Sequence, residues 1–543
     1  MTTRSTFSRL LSNHAGDPGR PIWVFVPYDQ LTDRIGPLAR HGPEEIGIVL
    51  VESRWKACRR PYHKQKLALV LANMRHFALE QARRGVAVRY LMADGPYREA
   101  LRPVAEELGP LMVMEPAERE LRVDLAPLFT AGLLLLRPHE GWLTSSEQFA
   151  ASQDGPPWRM DPFYRHVRKE TGVLMEGGRP AGGRFSLDAE NRRPWPGEPP
   201  APSAPDFPVD DIKAEVAELV EAVFADHPGE LDLDHLPATR VDADHLWSWA
   251  KEECLVHFGP FEDAMSRRSG GLFHTRVSAL LNLHRLLPAQ VVGDALALDL
   301  PLASQEGFVR QVMGWREFVR HVHAATDGFR CGPEGFALES GGVSAERSFA
   351  AGEDRPGAPD FLGAATPLPP AYWGTPSGLA CLDQVVGQVW REGWSHHITR
   401  LMVLSNIALL IDVDPRELTD WFWIAYADAF DWVVEPNVLG MGAFAAGELM
   451  TTKPYVSGSN YIAKMSDFCD SCAFDPDVSC PLRDLYWAFL ARHEEKLAGI
   501  PRMRLPYASL AKRGAERRRR DQRTFEAVRQ RLGDGQILSP PPP

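Results

Sequence analysis

The chain of 543 residues lacks any long hydrophobic run. No stretch approaches the roughly 20 consecutive apolar residues that span a bilayer, and the first residues carry Arg and Ser but no apolar core of a signal peptide. Neither a membrane span nor a secretory leader is therefore predicted, and we expect a cytoplasmic protein. With 44% apolar and 24% charged residues, the composition indicates an ordered chain that is too long for one core.

Cysteine is also scarce, with seven residues, an odd number that argues against a framework of disulfides. Three of them, Cys469, Cys472 and Cys480, nevertheless lie within twelve residues on a Pro- and Asp-rich loop. Three thiolates this close can bind a metal or a cluster if a fourth comes from elsewhere, and Cys381 is the best placed candidate. Thiolates suit both Zn²⁺ and an iron–sulfur cluster, so the residues alone leave that choice open.

A G-x-G-x-x-G fingerprint is absent after the first apolar run, which excludes an ordinary dinucleotide site there. Five short apolar runs separated by helix-like segments nonetheless predict a doubly wound parallel sheet. The runs begin at Ile22, Ile46, Val86, Leu111 and Gly132. Ligands of such sheets bind at the carboxyl ends of the strands. Tyr28, Asp29 and Gln30 follow the first run and are candidates to line that crevice, although each also fits a polar turn.

Pro-rich and helical stretches divide the chain into four predicted parts. Residues 1–137 form an α/β domain, and residues 138–240 form a surface linker with one or two short helices. Within the linker, the stretch beginning RMDPFYRHVRKE is too polar for a core helix. Residues 241–500 form a large all-α domain, and residues 501–543 form a basic helix with a Pro tail.

The helical domain is predicted from apolar periodicity and from capping signals. Asp414 before Pro415 fits an N-cap followed by Pro at the first helical position. The predicted helices run over 243–257, 276–287, 307–324, 382–411 and 415–432.

An overall positive charge is missing: the formal net charge is −12, which argues against a general nucleic-acid binder. The distribution is uneven, however. Residues 502–532 contain 11 Lys or Arg and 3 Asp or Glu, so this tail carries +8 and the rest of the chain −20. A solvated helix face and a phosphate-facing arm both fit such a run.

Several segments, taken together, are specific to one family. Three of them are SGLACLDQVVGQVWREGWSHHITRLMVLSNIALLIDVDP, LGMGAFAAGELMTTKPYVSGSNYIAKMSDFCDSCAFDP and CPLRDLYWAFL. With these residues the chain closely resembles the iron–sulfur bacterial cryptochromes and photolyases, the prokaryotic (6-4) photolyase group. The resemblance continues through HKQKLALVLANMRHFALE, WRMDPFYRHVRKETGVLMEGGRP, FGPFEDAM and QVMGWREFVR, in the same order along most of the chain.

The resemblance implies three cofactors. They are FAD in the helical domain, a [4Fe–4S] cluster on Cys381, Cys469, Cys472 and Cys480, and a 6,7-dimethyl-8-ribityllumazine antenna in the α/β domain. One departure from the family is visible, because only seven residues separate Cys472 from Cys480 where the family usually has a longer loop.

For FAD, the resemblance implies a phosphate-binding turn at a helix start, pocket walls and groups around the flavin ring. The turn is His274, Thr275, Arg276, Val277 and Ser278, and the walls are Asn282, Gln311, Trp315 and Arg316. Arg400 and Asp428 correspond to the ion pair beside the ring. Asp431 corresponds to the acceptor for the ring imide, and Asn437 to the group near flavin N5. In isolation, each residue also fits an ordinary salt bridge or cap.

For the chemistry, His397 resembles the family histidine that faces the DNA lesion and donates a proton. Because neighbouring helical residues point about 100° apart, only one of His396 and His397 is expected to face the site. Tyr455 and Tyr461 match aromatic positions that stack on two flipped pyrimidines, with Lys453 near a phosphate.

Trp373 and Trp421 resemble the electron-relay tryptophans of the family, but Phe422 stands where the family often has Tyr. The resemblance favours a monomeric photolyase that repairs (6-4) photoproducts in UV-damaged DNA. A cryptochrome-type photoreceptor that signals to a partner protein is the alternative. A structural or DNA-binding protein with zinc on the four thiolates is the third class.

Overall fold

The computed structural model of the protein describes residues 5–14, 16, 19–339 and 355–540. Its sheet contains strands β1 Ile22–Phe25, β2 Ile46–Ser53, β3 Ala87–Ala93, β4 Leu111–Met114 and β5 Leu134–Arg137. All pair in parallel, in the order β3-β2-β1-β4-β5. The five predicted strands and their doubly wound arrangement are therefore confirmed.

The central strands form because their apolar runs are buried on both faces, as in other parallel sheets. Ile48, Val49 and Leu50 of β2 are fully buried. Gly47 is required beside β1, because a Cβ at this position would lie 2.6 Å from the ring of Trp23. The helices of this part are α1 Thr6–Ser12, α2 Gly36–Arg40, α3 Arg54–Ala57, α4 Lys64–Arg83, α5 Tyr97–Leu108 and α6 Arg119–Thr130.

Residues 138–240 contain three helices rather than the one or two expected. They are α7 Ser146–Ser152, α8 Met160–Thr171 and α9 Asp211–Val223, with a hairpin of β6 Met175–Glu176 and β7 Arg179–Pro180. The prediction that the polar stretch around α8 is no core helix is wrong, because Phe163, Tyr164 and Val167 are fully buried on one face. These three residues stand at positions i, i+1 and i+4 of the helix, which gives α8 a buried apolar face in spite of its high polar content.

From residue 240 onward the described chain is helical almost throughout, as predicted. Asp414 caps α19 through its carboxylate, and Pro415 opens that helix. The helices are α10 Arg240–Trp249, α11 Leu255–Phe261, α12 Ser278–Asn282, α13 Pro288–Ala297, α14 Leu302–Val309, α15 Glu317–Ala325, α16 Ala380–Glu392, α17 His397–Thr399, α18 Asn406–Leu410, α19 Pro415–Ala425, α20 Asp431–Glu435, α21 Ser459–Met465, α22 Pro481–Arg492, α23 Glu494–Leu497, α24 Arg504–Ala511 and α25 Ala515–Gly533.

Four π-helical segments interrupt these helices in the part of the chain that the structure describes. They are Ala250–Cys254, Arg310–Arg316, Arg400–Ser405 and Pro436–Gly442. The last three contain residues that the sequence assigns to FAD, namely Gln311, Arg400 and Asn437. π-bulges occur frequently at functional sites, so the backbone irregularity coincides with the expected pocket.

The helix predicted over 382–411 is wrong in its continuity, because it breaks at Gly393. This residue has a φ of +60° and ends α16 in the left-handed conformation that glycine adopts without strain. His396 therefore lies in extended backbone immediately before α17.

Two further predicted helices are also shorter than expected. The helix over 415–432 ends with α19, which leaves Asp428 in the turn before α20. The helix over 276–287 is reduced to α12, because Arg276 and His284 adopt positive φ angles of 55° and 58°. Each break moves a residue of the expected site from a helix into a turn.

The basic tail forms α25, which has one buried face and one exposed face. Phe525, Val528 and Leu532 are buried, and α25 packs along α22. Arg517 and Arg519 are exposed on the other face, so a docked helix and a basic solvent-facing surface coexist. Residues 541–543 of the expected Pro tail lie outside the described residues. No helix in the described ranges is long and apolar enough to cross a bilayer.

Candidate functional site

Four cysteines meet where α16, a 3₁₀ turn and α22 come together. Cys381 is buried in the first turn of α16, and Cys480 immediately precedes α22. Cys469 lies in the 3₁₀ helix Phe468–Ser471, which Cys472 follows. Burial raises the pKa of Cys381 well above its ordinary value, and the other three thiols raise it further. The structure thus brings the four predicted ligands together.

The spacing of these thiols bears on the kind of metal site. In a tetrahedral site with Zn–S bonds of about 2.3 Å, the sulfur atoms lie about 3.8 Å apart. In the described part of the chain, no three cysteine sulfurs lie within 4.8 Å of one another. The four thiols are therefore not arranged at the spacing of a single tetrahedral Zn²⁺ ion.

The short loop between Cys472 and Cys480 is organised by Asp475. Its carboxylate accepts hydrogen bonds from the amides of Asp477 and Val478 at 2.7 and 2.9 Å. Its carbonyl accepts from the Cys480 amide at 2.8 Å. This tight turn returns the chain within a few residues, so the shortened loop still places Cys480 beside the other thiols.

An ion pair with a buried carboxylate lies among the helices that surround the expected FAD site. The two Nη atoms of Arg400 donate to the two carboxylate oxygens of Asp428 at 3.0 and 2.9 Å. Ser278 donates to the same carboxylate at 2.6 Å, and Asn282 donates to the Asp428 carbonyl at 2.9 Å. Burial acts to raise the pKa of Asp428, but Arg400 and the hydrogen bonds outweigh it, so the pKa lies below its ordinary value. Four predicted FAD residues therefore form one connected group.

Arg316 extends this group. Its guanidinium donates to the Leu281 carbonyl at 3.3 Å and stacks over the rings of Trp142 and Trp432 at 4.5 and 5.1 Å. Glu317 pairs with it at 3.2 Å, yet the Nε atom is buried without a hydrogen-bond partner. Burial lowers the pKa of Arg316 to about 10. A buried cation with an unsatisfied donor fits an anionic ligand group.

The other residues of the predicted phosphate turn have different surroundings from Ser278. The Arg276 guanidinium forms an ion pair with Glu392 at 2.9 Å. Thr275 and Val277 are 8% and 3% exposed, and Val277 belongs to the hydrophobic core. The turn is therefore anchored mainly by its last residue.

Asp431 and Asn437 lie farther along the chain: Asp431 opens α20 and Asn437 follows it. The Asp431 carboxylate accepts from the Glu120 and Trp432 amides at 3.1 and 2.6 Å, which links the helical part to the α/β domain. Asn437 donates to the Val433 carbonyl at 2.8 Å. Both side chains keep lone pairs or donors for a ligand.

Gln311 and Trp315 lie on the π-helical segment that also carries Arg316. Gln311 donates to the buried carboxylate of Glu262, which pairs with Arg310 at 3.1 Å. Trp315 packs edge-on against Phe318 with ring centroids 6.1 Å apart. Gln311 thus faces the segment 262–263 rather than Asp428.

Three histidines come together at the end of the helix break. The rings of His274 and His396 stack 4.4 Å apart and 10° from parallel, and His397 lies edge-on 5.4 Å from His274. One ring nitrogen of each lies within 4.8 Å of the others. The expectation that only one of His396 and His397 faces the site is therefore wrong, because His396 precedes α17 and helical spacing does not apply.

Asp263 joins His397 to one of the predicted tyrosines. His397 Nε2 lies 3.7 Å from the Asp263 carboxylate, and 40% of the His397 side chain is exposed. The Tyr461 hydroxyl donates to Asp263 at 3.4 Å, and Arg192 Nε lies 3.7 Å from it. Sequence reasoning missed Asp263 and Arg192, although Asp263 is part of the FGPFEDAM segment that carries the resemblance.

Tyr455 and Lys453 lie near the same basic groups. Burial lowers the pKa of Lys453, as do nearby Arg502 and Arg192. Burial raises the pKa of Tyr455, and the same two arginines oppose this. The predicted lesion-facing residues thus share one region with two arginines that the sequence did not single out.

The two predicted relay tryptophans are connected by a third. Trp421 lies edge-on to Trp390 with centroids 6.0 Å apart, and Trp390 stacks on Trp373 at 5.6 Å. Trp421 is buried, whereas Trp373 is 47% exposed. On its other side Trp421 contacts Tyr426 at 6.1 Å, and Arg400 lies 4.0 Å over the Tyr426 ring. Sequence reasoning missed Trp390 and Tyr426 because their positions depend on tertiary packing.

A cavity of about 520 Å³ opens between the α/β part and the helices. Arg60 and Glu120, which follow β2 and β4, line it together with Trp421 and Trp423. It therefore lies on the side of the carboxyl ends of the strands, as predicted for a ligand.

The expected residues of the crevice do not line that cavity. Tyr28, Asp29 and Gln30 are 1–4% exposed and lie against the helical part. Phe430 stacks on Tyr28 with ring centroids 6.3 Å apart. The expectation that these three residues line an open crevice is therefore wrong, because the helical part covers the ends of β1.

Comparisons with known proteins agree with this architecture. The family of deoxyribodipyrimidine photo-lyase-related proteins matches residues 24–235. A (6-4) photolyase from Agrobacterium fabrum is 35% identical over 508 residues, which are 90% of this chain and 95% of that protein.

Solved structures show the same fold. A bacterial class III photolyase from Agrobacterium tumefaciens matches with a TM-score of 0.54 at 16% identity, covering 94% of this chain and 98% of that one. A Synechocystis cryptochrome matches with a TM-score of 0.53 at 13% identity and the same coverage. The fold is thus that of the photolyases and cryptochromes. Given its identity to the Agrobacterium (6-4) photolyase over nearly its whole length, the chain belongs to the photolyase and cryptochrome family, which implies FAD as cofactor.

Proposed function

We propose that the protein uses light to repair (6-4) pyrimidine photoproducts in DNA. The position of His397 carries this proposal. Its imidazole is 40% exposed beside Asp263, whereas Arg400, three residues later, pairs with the buried carboxylate of Asp428. An accessible proton donor thus lies one helical turn from a buried cofactor site. The related Agrobacterium protein, named a (6-4) photolyase, supports the same activity.

FAD fits the connected group of buried polar residues. Ser278, Asn282, Arg400 and Asp428 would hold and orient the flavin, and the unpartnered Nε of Arg316 suits a phosphate oxygen. When bound in its reduced form, FAD supplies the electron that light moves to the lesion. The helices exclude water from this site, since Asp428 is 4% exposed.

His397 donates the proton that the photoproduct needs when it gains negative charge. The Asp263 carboxylate lies 3.7 Å from His397 Nε2. His396 and His274 are buried, which lowers their pKa values well below the ordinary range, so they remain neutral beside it. The repaired bases return both the electron and the proton, and no net redox change results.

The surface around His397 binds damaged DNA in this proposal. Tyr455 and Tyr461 offer aromatic faces to the two flipped bases. Lys453, Arg192 and Arg502 supply positive charge for the adjoining phosphates. This local charge gives salt-dependent affinity in spite of the net charge of −12.

We further propose a [4Fe–4S] cluster on Cys381, Cys469, Cys472 and Cys480. The fold brings four thiols together as the ligand set of such a cluster, and no three of these sulfurs lie at the spacing of one Zn²⁺ ion. The cavity lined by Arg60, Glu120, Trp421 and Trp423 is proposed as the site of the lumazine antenna. Trp423 supports this, because its indole N–H is buried without a hydrogen-bond partner and can donate to a ligand in the cavity.

The electron relay is proposed to run from the exposed Trp373 inward through Trp390 and Trp421 to Tyr426. The centroids of consecutive rings along this relay are 5.6–6.1 Å apart. Tyr426, whose hydroxyl lies 2.8 Å from the Ser395 hydroxyl, supplies an oxidisable ring in place of Phe422. The exposed Trp373 is where an external reductant delivers the electron.

A photoreceptor of the cryptochrome type is the second candidate. One observation favours it: α22 begins immediately after Cys480 and packs along the C-terminal helix α25. A change at the cluster would therefore reach a basic surface that a signalling partner can contact.

Illumination of the FAD-loaded protein with an oligonucleotide that contains a (6-4) photoproduct tests the proposal. We expect restored bases with the wild type and no repair with His397→Ala, which should retain its flavin. His245→Ala, an exposed histidine on α10, serves as the matched control. A wild type that binds the lesion but never repairs it supports the photoreceptor instead, and a colourless zinc protein contradicts both.

A further inference from the structure

The group of His274, His396 and His397 has features that repair of a lesion does not require. Two nitrogens, His274 Nε2 and His396 Nδ1, are buried and have no hydrogen-bond partner. Leaving a buried polar atom unpaired costs roughly 1–3 kcal/mol. Proton donation needs one accessible imidazole, which His397 already provides. The two unpartnered nitrogens therefore call for a different explanation.

We propose that His274, His396 and His397 form a binding site for a divalent transition metal ion such as Zn²⁺. One nitrogen of each ring lies within 4.8 Å of the other two. A tetrahedral site with Zn–N bonds of about 2.1 Å needs nitrogens about 3.4 Å apart. Rotation of the His397 ring, which is 40% exposed, supplies part of this approach.

The surroundings of the three rings suit a metal site. The backbone of Glu262 hydrogen-bonds to the His274 ring, as supporting groups commonly do for metal-bound histidines. Asp263, 3.7 Å from His397, offers a carboxylate for a fourth position. Two nearby cations are already neutralised, because Arg400 pairs with Asp428 and Arg276 pairs with Glu392.

Ligand chemistry selects the class of metal. Imidazole nitrogens suit Zn²⁺, Cu²⁺ and Ni²⁺, whereas Mg²⁺ and Ca²⁺ prefer oxygen ligands. A metal bound through His397 also occupies the atom that would carry the catalytic proton. Metal binding and the proposed repair thus exclude each other.

Calorimetric titration of the FAD-loaded protein with ZnCl₂ tests the site without light or DNA. We expect one Zn²⁺ per chain. In His397→Ala the affinity should be at least about tenfold weaker, because even residues that only support metal ligands typically change metal affinity by this factor when they are replaced. His274→Gln should show the same loss, with flavin absorbance confirming that the site is intact. His245→Ala should bind as the wild type does, and MgCl₂ should give no heat from this site.

Two outcomes would overturn the proposal. One is unchanged Zn²⁺ affinity in His397→Ala. The other is Co²⁺ binding with intense thiolate charge-transfer absorption, which would place the metal on the cysteines. Both outcomes leave the proposed repair activity open, because neither measurement involves a lesion. Conversely, a protein that binds Zn²⁺ at this site but repairs no lesion when assayed free of Zn²⁺ would contradict only the repair function.

Discussion

Trp390 stacks on Trp373 with ring centroids 5.6 Å apart and ring planes 19° from parallel. This contact joins an exposed tryptophan to a buried one, because Trp390 also lies edge-on to Trp421 at 6.0 Å. Trp373 and Trp421, the two relay residues expected from the sequence, are therefore connected through Trp390. They form a continuous aromatic path only through the residue between them.

Replacement of Trp390 by Phe should slow light-driven reduction of the flavin by about tenfold or more, which corresponds to about 1.4 kcal/mol in the barrier. Phe keeps a ring in place but is not oxidised under these conditions. The rate is measured from flavin absorbance during illumination with a reductant. Trp249→Phe on α10 is the control and should react at the wild-type rate. An unchanged rate in Trp390→Phe would remove Trp390 from the relay.

Gly393→Ala should destabilise the protein, by about 1–2 kcal/mol, since an L-residue is strained at a φ of +60°. Its Cβ would meet only ordinary contacts, 3.4 Å from Gln65, so the cost is backbone strain. Gly293→Ala on α13 is the matched control, because its Cβ would meet nothing within 4 Å. This control should raise stability by about 0.5–1 kcal/mol. The melting temperature should therefore fall in Gly393→Ala and rise in Gly293→Ala relative to the wild type.

The predicted strands were correct because each strand is a continuous apolar run, which is a local signal. The break at Gly393 was missed since glycine is tolerated inside helices, and the choice of a left-handed cap depends on tertiary contacts. The Ala427 amide donates to the Gly393 carbonyl at 2.9 Å. This bond joins the turn before His396 to the turn that carries Asp428, and no local pattern reports it.

The sequence predicted which residue types form the site, but not which of these residues contact one another. Motif resemblance identified Arg400 and Asp428, and their bidentate pair is now visible. It did not identify Asp263, which contacts His397 and Tyr461 from a distant segment. Contacts between segments that far apart in sequence arise from packing, so only the three-dimensional structure shows them.

Asp428→Asn should destabilise the protein at pH 7 by about 1–3 kcal/mol, because it leaves the partly buried Arg400 charge without its counter-ion. The variant should also retain less flavin after gel filtration. Asn keeps the shape of the side chain, so lost charge rather than lost volume is tested. A melting temperature equal to that of the wild type at pH 7 would contradict a structural role for the pair.

The pH dependence of the wild type and of this variant should differ as well. The pKa of Asp428 in the folded protein lies below its ordinary value of 3.8. Its stabilising contribution is therefore complete above about pH 4–5 and is lost as the pH falls through the folded pKa. The wild-type advantage in melting temperature over Asp428→Asn should be constant from pH 5 to 7 and shrink below pH 4, as measured across that range.

Cys480→Ala should remove iron from the purified protein, which is otherwise expected to hold about four iron atoms on four thiolates. Because Cys480 immediately precedes α22, which supports α25, loss of the cluster should also expose the C-terminal helix to limited proteolysis. Cys58→Ala is the control: it changes an exposed cysteine that matches no ligand position, and both iron content and the digestion pattern should stay as in the wild type. Full iron content in Cys480→Ala would show that this thiol is not a ligand. Loss of iron without faster cleavage would keep the cluster assignment but contradict the mechanical link between Cys480 and α25.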